Sequence, residues 1–202
     1  TTEEKNAAKA DAKAKADVAK QAIDKATTNA AVDSAKMEGT TSVSSVTPIA
    51  TAKPAAKNAI DEALKAKEAQ LDTRTDLTDE EKTVAKVDAQ ARATAAKAAI
   101  DNATTNATVD SAKISGVADV ESVNPQASQK KTDAKNAVDD VLKAKEAAID
   151  ANNDLTAEEK AKAKEDAKAK ADAAKQAIDN ATTNAGVEQA KTNGTTEVNN
   201  VN

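Results

Sequence analysis

The sequence predicts an all-α fold, in which tandem antiparallel three-helix bundles are arranged as an elongated rod. One observation behind this prediction is a segment that occurs three times, at 19–36, 96–113 and 174–191. The offsets between the copies are 77 and 78 residues, so one repeating unit accounts for almost the whole chain. Another is that a stretch without Gly or Pro follows a helix-start signal in every repeat, at 2–27, 79–104 and 157–182.

The period divides the chain into a partial repeat, 1–47, and two full repeats, 48–124 and 125–202. The partial repeat holds two predicted helices, B and C, and each full repeat holds three, A, B and C. The low hydrophobicity, 39% with no aromatic residue, approaches that of disordered chains. A net charge of only −5 and the abundance of Ala, Lys and Glu favour helices over that alternative.

Helix B begins at a capping box in every repeat. The pattern Thr-x-x-Glu stands at 1–4, 78–81 and 156–159, where the Thr hydroxyl and the Glu carboxylate can cap each other's backbone N–H. The helix is predicted over 2–27, 79–104 and 157–182. It ends at an Ala-Thr-Thr-Asn segment, in which Thr and Asn compete with the helical backbone and cap the next helix.

Helix C is predicted over 30–46, 107–123 and 185–201 from an apolar stripe at the helical period. A glycine lies in the middle of each stripe, at Gly39, Gly116 and Gly194. Glycine inside a helix costs about 1 kcal/mol relative to alanine, so its return favours close approach of a neighbouring helix. The alternative is that glycine ends helix C early.

Helix A is predicted over 54–72 and 132–151, with Pro54 near its first position. The extra residue in the second offset falls before this helix. Segments 47–53 and 124–132 are therefore predicted as linkers. Three amphipathic helices with short connections are typical of an antiparallel bundle.

The composition predicts no catalytic, cofactor-binding or metal-binding residue. His, Cys, Tyr and Trp are absent, which removes the commonest acid–base, nucleophilic and metal-ligand side chains. The segment 150–154 begins like a calcium loop, but Leu155 and Ala161 stand where Gly and Glu are required. Carboxylates lie beside lysines at helical spacing, which is typical of solvated ion pairs. We therefore expect that the protein is not an enzyme and uses no cofactor.

Charge and hydropathy limit the partners. No repeat carries a basic excess, so nucleic acid is not an expected partner, and no apolar run reaches the length of a membrane span. No signal peptide opens the chain, so any targeting and anchoring segments of an exported protein are expected outside it. The expected partners are neighbouring repeats of the same chain, in a monomer.

The segments LT-x-EEK (77–82, 155–160) and AKAAIDNATTNATVDSAK (96–113), with a following glycine, resemble the alanine-rich repeats of domain-of-unknown-function family 1542. The resemblance covers essentially the whole chain. It implies tandem repeats of a Gram-positive surface protein, of the kind found in adhesins and biofilm-associated proteins, exported and anchored to the cell wall. Ala31, Thr108 and Gly186 stand where family copies often have Glu, so the start of helix C is expected to fray.

We therefore expect structural stalk or spacer repeats that project a distal adhesive domain from the cell wall. The alternative is a three-helix module that binds a host extracellular protein such as albumin, immunoglobulin or fibronectin, which requires an exposed apolar patch. A cytosolic helical scaffold is a third hypothesis, which a signal peptide or a sorting signal in the full-length gene would exclude.

Overall fold

The computed structural model describes all residues from 1 to 202 and contains eight α-helices and no β-strand. The helices, in chain order, are α1 (Thr2–Lys25), α2 (Asn29–Ser44), α3 (Ala52–Asp72), α4 (Asp79–Asn102), α5 (Asn106–Glu121), α6 (Gln129–Ala151), α7 (Ala157–Asn180) and α8 (Asn184–Asn199). Helices α1, α4 and α7 are the predicted B helices, α2, α5 and α8 the C helices, and α3 and α6 the A helices. The all-α prediction is confirmed, and the helix contacts are those of tandem small helical bundles.

The caps of the B helices are those that the sequence predicts. At Thr1 and Thr156 the hydroxyl accepts from the N–H three residues on and the Glu carboxylate accepts in return. Thr78 does the same with Glu81, over 3.4 and 2.9 Å. These reciprocal bonds satisfy backbone donors that the first turn of a helix leaves without a partner.

The C helices begin in a regular way in all three copies. Thr28, Thr105 and Thr183 are the N-caps, and each accepts from the backbone N–H three residues on. Each C helix therefore has a capped first turn, because a Thr hydroxyl can hold the first turn without a Glu. Fraying at this start stays a prediction.

The linkers begin two residues earlier than predicted, and only the second is shorter than predicted. Helices α2 and α5 end at Ser44 and Glu121, and α3 and α6 already begin at Ala52 and Gln129. The segments outside the helices are thus 45–51 and 122–128, equal in length. The additional residue of the third repeat lies inside the first turn of α6. Ser128, the residue before α6, lies ten positions before the core residue Val138, whereas Thr51, the residue before α3, lies nine positions before the equivalent Ile60. Pro54 lies in the first turn of α3, where its missing N–H costs nothing.

The chain divides into two compact units, which do not coincide with the predicted repeats. One unit is Thr1–Lys65 with Gln90–Ser122, and the other is Ala66–Ala89 with Val123–Asn202. The repeat limits at 47 and 124 stay a prediction from the sequence.

In the first unit, α1 packs against α2, and parts of α3 and α4 form a core with α5. Its fully buried members are Ala56, Ile60, Ala93, Ala96, Ile100, Val109 and Val120. In the second unit, α6, α7 and α8 contact one another pairwise. Their shared core consists of Ala134, Val138, Ala171, Ala174, Ile178, Val187 and Val198. Both cores are rich in alanine, which lets helix axes approach closely.

Close approach also explains the glycine of each C helix. A Cβ built on Gly39, Gly116 or Gly194 would overlap the Cβ of Ala19, Ala96 or Ala174, respectively, on the preceding helix. The helix continues through all three glycines. The prediction of close approach is confirmed, and the alternative, an early end of helix C, is wrong.

Candidate functional site

No group of three or more acidic side chains is placed to hold a metal ion, and every buried side-chain nitrogen and oxygen has a hydrogen-bond partner. The calcium-like segment is a turn, in which the Asp154 backbone N–H donates to Asn152 Oδ1 over 2.9 Å. No helix combines the length and the apolar character that a membrane crossing needs. The polar geometry that recurs in the chain lies instead where one repeat meets the next.

The first junction lies within the first compact unit. There the start of α1 contacts the turn between α4 and α5, which belongs to the following repeat. The Thr2 backbone N–H donates to the Thr104 carbonyl over 2.8 Å, and the Asn106 N–H donates to Glu3 Oε2 over 3.0 Å. One helix start thus caps another.

The neighbouring residue of the same helix start caps a second helix of the following repeat. Glu4 Oε1 accepts from the backbone N–H groups of Thr51 and Ala52 over 2.7 and 2.9 Å. It also accepts from the Thr51 hydroxyl over 3.1 Å. Two adjacent glutamates of one repeat therefore bind the first turns of the C and A helices of the next repeat.

The second junction, within the second compact unit, repeats this arrangement 77 or 78 residues later. The Asp79 N–H donates to the Thr182 carbonyl over 2.6 Å, and the Asn184 N–H donates to Glu80 Oε2 over 3.0 Å. Glu81 Oε1 accepts from the hydroxyl of Ser128, the N-cap of α6, over 2.9 Å. We call this set of contacts, made by the Thr-x-Glu-Glu start of a B helix, the junction clasp.

A buried lysine reinforces the second clasp. Lys131 is 4% exposed, and its Nζ donates to the carbonyls of Thr75, in the preceding repeat, and Asp179, in its own repeat. The Ser128 N–H also donates to the Asp76 carbonyl over 3.0 Å. At the first junction Lys53 takes the corresponding place, with Nζ 2.6 Å from the Asp101 carbonyl.

Backbone N–H groups hold the carboxylates of Glu3, Glu4 and Glu80 in their charged form. The Asn184 N–H, followed by the N–H of Glu80 itself, lowers the pKa of Glu80. The N–H of Glu3 and then that of Asn106 lower the pKa of Glu3, and the Ala52 N–H is the main cause of the lowered pKa of Glu4. Backbone donors at a helix start favour an anion because several N–H groups point outward there.

The sequence indicates the parts of the clasp but not their contact. It predicts capping boxes at the Thr-x-Glu-Glu segments and turns at the Thr-Thr-Asn segments, each within its own repeat. The sequence feature that could have indicated the clasp is the first of the two glutamates, at 3, 80 and 158. A capping box needs only the second glutamate, so the first has no role within its own helix start. In the third copy Glu159 closes the capping box with Thr156, and Glu158 is exposed.

Comparison with known families identifies the repeating unit. The family model described as Domain of Unknown Function (DUF1542) matches residues 1–51, 52–128 and 130–202. No curated protein and no solved structure matches the chain. These matches cover nearly the whole chain, so the chain belongs to the DUF1542 family and consists of three tandem copies of that domain.

Proposed function

We propose that this chain is a structural stalk, whose repeats space a distal adhesive domain from a bacterial cell wall. The observation that carries the proposal is the recurrence of one polar junction at two successive repeat boundaries. A helix start that caps the helices of the following repeat defines a direction along the chain and can be extended by adding copies. In repeat arrays each unit contacts mainly its neighbours, so length grows with copy number.

The composition is consistent with a load-bearing surface protein. The chain contains no cysteine, so its repeats carry no thiol that oxidation outside the cell could alter. Its cores consist of alanine and a few branched aliphatic residues, which release little free energy on burial. The rod form, the extracellular location and the anchoring through other segments belong to this proposal. So does its mechanical part, in which the repeats extend under shear and refold.

The spacer role is tested by placing the full chain between a cell-wall anchor and a terminal affinity tag on a Gram-positive cell. A second fusion protein carries one additional copy of residues 125–202. The tag is expected to move outward by one repeat length, measured by the height at which a labelled tag ligand binds. An unchanged height contradicts the spacer role.

The contribution of the clasp is tested with a matched pair of double variants. Glu80→Gln with Glu81→Gln removes the charge from the second clasp, so faster hydrogen exchange is expected at Asn184 and at the first turn of α6. Glu158→Gln with Glu159→Gln disturbs the same capping box in the third copy and should leave those amides unchanged. Equal exchange in both variants would show that the capping box, not the clasp, protects them.

The alternative function, binding of a host extracellular protein, has one surface in its favour. Val84 and Val87 lie one turn apart on α4 and are 71% and 59% exposed. The third copy has Lys162 and Glu165 at the corresponding positions. Exposed apolar side chains on one helix face are a usual feature of binding sites.

This alternative is tested by a pull-down from plasma with the full chain and with its Val84→Lys/Val87→Glu variant. A plasma protein that the original chain retains and the variant loses supports the binding function. Retention by both, or by neither, removes this surface from consideration.

A further inference from the structure

The third C helix differs from its two copies at the residue before its buried glycine. Glu38 and Ser115 stand at this position in the first two copies, and Asn193 stands there in the third, directly before Gly194. No other asparagine of the chain is followed by glycine. An Asn-Gly pair has a chemistry of its own, because glycine places no side chain beside the backbone nitrogen that follows the asparagine.

An Asn-Gly pair in a flexible backbone can rearrange without an enzyme or a cofactor. The backbone nitrogen of the glycine attacks the side-chain carbonyl carbon of the asparagine and forms a new C–N bond. The bond from that carbon to the amide nitrogen breaks, and ammonia leaves with the proton of the backbone N–H. Water then opens the cyclic imide at either carbonyl, which yields aspartate or isoaspartate, and no electron transfer is involved.

The folded helix holds Asn193 and Gly194 in an unreactive geometry. Helix α8 continues through both residues. Inside an α-helix a backbone N–H donates to the carbonyl four residues back, so the Gly194 nitrogen is already engaged. Helical side chains lean toward the N-terminus, and Asn193 Oδ1 accepts from Gln189 Nε2, one turn earlier, over 2.8 Å. The amide carbon of Asn193 is therefore held away from the nitrogen that would attack it.

Packing on α7 keeps the helix closed at this point. Gly194 is buried, and a Cβ built on it would overlap the Cβ of Ala174. One turn later Val198 is completely buried, in one core with Ile178. This close contact requires glycine at 194, so the reactive neighbour of Asn193 cannot be exchanged for a larger residue without loss of packing.

We propose that Asn193 is a site of spontaneous deamidation that is protected while the third repeat is folded and reacts when this repeat opens. The isoaspartate product adds a carbon atom to the backbone in the middle of α8. The turns on either side then no longer share one helical register, so Val198 cannot return to the core while Gly194 contacts Ala174. Opening thus exposes the third repeat, and not its two copies, to a permanent covalent change. This inference does not depend on the proposed spacer role.

Peptide mapping of the full chain tests the protection. The chain is incubated at one mildly alkaline pH, in native buffer or in urea that unfolds it, and conversion of Asn193 is followed by mass spectrometry. Conversion should be at least roughly tenfold faster in urea, a factor that corresponds to about 1.4 kcal/mol for opening of the helix. A synthetic peptide of residues 189–197 should convert equally fast in both solutions, which controls for urea itself. A smaller ratio for the chain, or absence of conversion in urea, overturns the proposal.

Two variants separate protection by the folded repeat from protection by helix α8 alone. Ile178→Ala weakens the core beneath α8 but leaves the Asn-Gly pair unchanged, so conversion should become faster in native buffer and not in urea. Ser115→Asn, at an exposed position, places a new Asn-Gly pair before Gly116, which contacts Ala96 as closely, and this pair should be protected too. An unchanged native rate in Ile178→Ala, or rapid native conversion at residue 115, overturns the role of packing.

Refolding after modification tests the consequence. The isoaspartate form, separated after conversion in urea, should not regain the native methyl NMR signals of Ile178 and Val198 when urea is removed. The Asn193→Asp variant has the same charge and an ordinary backbone, and it should regain them because residue 193 is exposed. Recovery by the isoaspartate form contradicts the proposed change of register. Failure of both forms would assign the effect to the charge and contradict it as well.

Discussion

The α1–α2 and α7–α8 pairs are near copies in sequence, yet they differ in burial. Helix α1 has no fully buried residue, whereas α7 buries Ala163, Ala167, Ala171, Ala174 and Ile178. The two pairs have the same caps and the same glycine contact. What differs is the third helix, because α6 packs on both α7 and α8.

This difference separates two sources of stability. Caps and helix-forming residues act within one helix, so they are present in both pairs. Burial of the apolar stripe requires a third helix, and an alanine-rich pair alone removes little apolar surface from water. Substitutions at equivalent positions of the two pairs should therefore have unequal effects wherever the third helix is involved.

The largest expected effect is that of Ile178→Ala. Its side chain is completely buried between α6, α7 and α8, so the substitution should lower the free energy of unfolding of the third repeat by about 2–5 kcal/mol. Ile23→Ala, at the partly exposed equivalent position, should cost about 1 kcal/mol or less. Native-state hydrogen exchange of α7 and α1 measures both, and equal losses would contradict the comparison.

A smaller effect is expected from Gly194→Ala. The new Cβ would overlap that of Ala174, lie 3.3 Å from the Ala174 Cα and lie 3.9 Å from Val138 Cγ2 of α6. Overpacking of this kind costs about 1–3 kcal/mol. Gly39→Ala has only Ala19 beside it, and the open pair can separate, so a smaller loss of thermal stability is expected there.

Gly186→Ala, in the first turn of α8, is the control for helix propensity. Its nearest neighbours are the Thr183 hydroxyl at 3.2 Å and Ala181 Cβ at 3.5 Å. It should leave the thermal midpoint unchanged or raise it, because alanine is favoured over glycine in helices by up to about 1 kcal/mol. A loss equal to that of Gly194→Ala would show that helix α8 tolerates no Cβ at either position.

The clasps predict a dependence on acid at the starts of α5 and α8 that the start of α2 does not share. The pKa values of Glu3 and Glu80 are lowered from an ordinary 4.5 in the folded chain. Their contribution to stability is therefore complete above pH 4.5 and is lost as the pH falls through the folded values. The amide signals of Asn106 and Asn184 should titrate with midpoints below 4.5. Asn29, whose N–H faces no such glutamate, should not titrate with them.

The smallest effects are expected at exposed ion pairs within single helices. Lys168 and Asp172 of α7 are 2.8 Å apart, and Lys15 and Asp11 of α1 are 3.3 Å apart. Lys168→Ala and Asp11→Ala should each cost less than about 0.5 kcal/mol, because solvent screens both pairs. The two thermal shifts should be alike, with or without a third helix. A large loss in α7 alone would show that the third helix extends its influence to the exposed face.

The helices and the starts of the B and C helices could be predicted closely from the sequence. The predicted ends of the B and C helices are two residues too late in every copy. In the B helices the reason is that the backbone is already extended at the first residue of the Ala-Thr-Thr-Asn segment, as at Ala26 and Ala181. The caps at Thr1, Thr78 and Thr156 and the glycine contact follow from local chemistry or from the apolar period. The predicted start of helix A is two to three residues too late, because the sequence comparison of the repeats puts the added residue in the linker rather than in the first turn of α6. Such a turn can gain a residue at its open end without rotating the apolar face behind it.

The junction clasp could not be predicted in the same way. Glu80 and Asn184 are more than one hundred residues apart, and neither the acid nor the amide has a local pattern that names its partner. Two ion pairs between α6 and α7, Lys135 with Asp179 and Lys175 with Asp139, likewise consist of residues that look in the sequence like exposed charges on separate helices. Each pair needs two helices in a fixed antiparallel register before its geometry exists.

The sequence by itself thus determined the repeat, the helices and their caps, since these depend on residues within a few turns of one another. Only the tertiary structure decided which face each helix buries and which carboxylate caps which repeat. The physical reason is that burial and charge-assisted capping depend on distances between segments far apart in the chain.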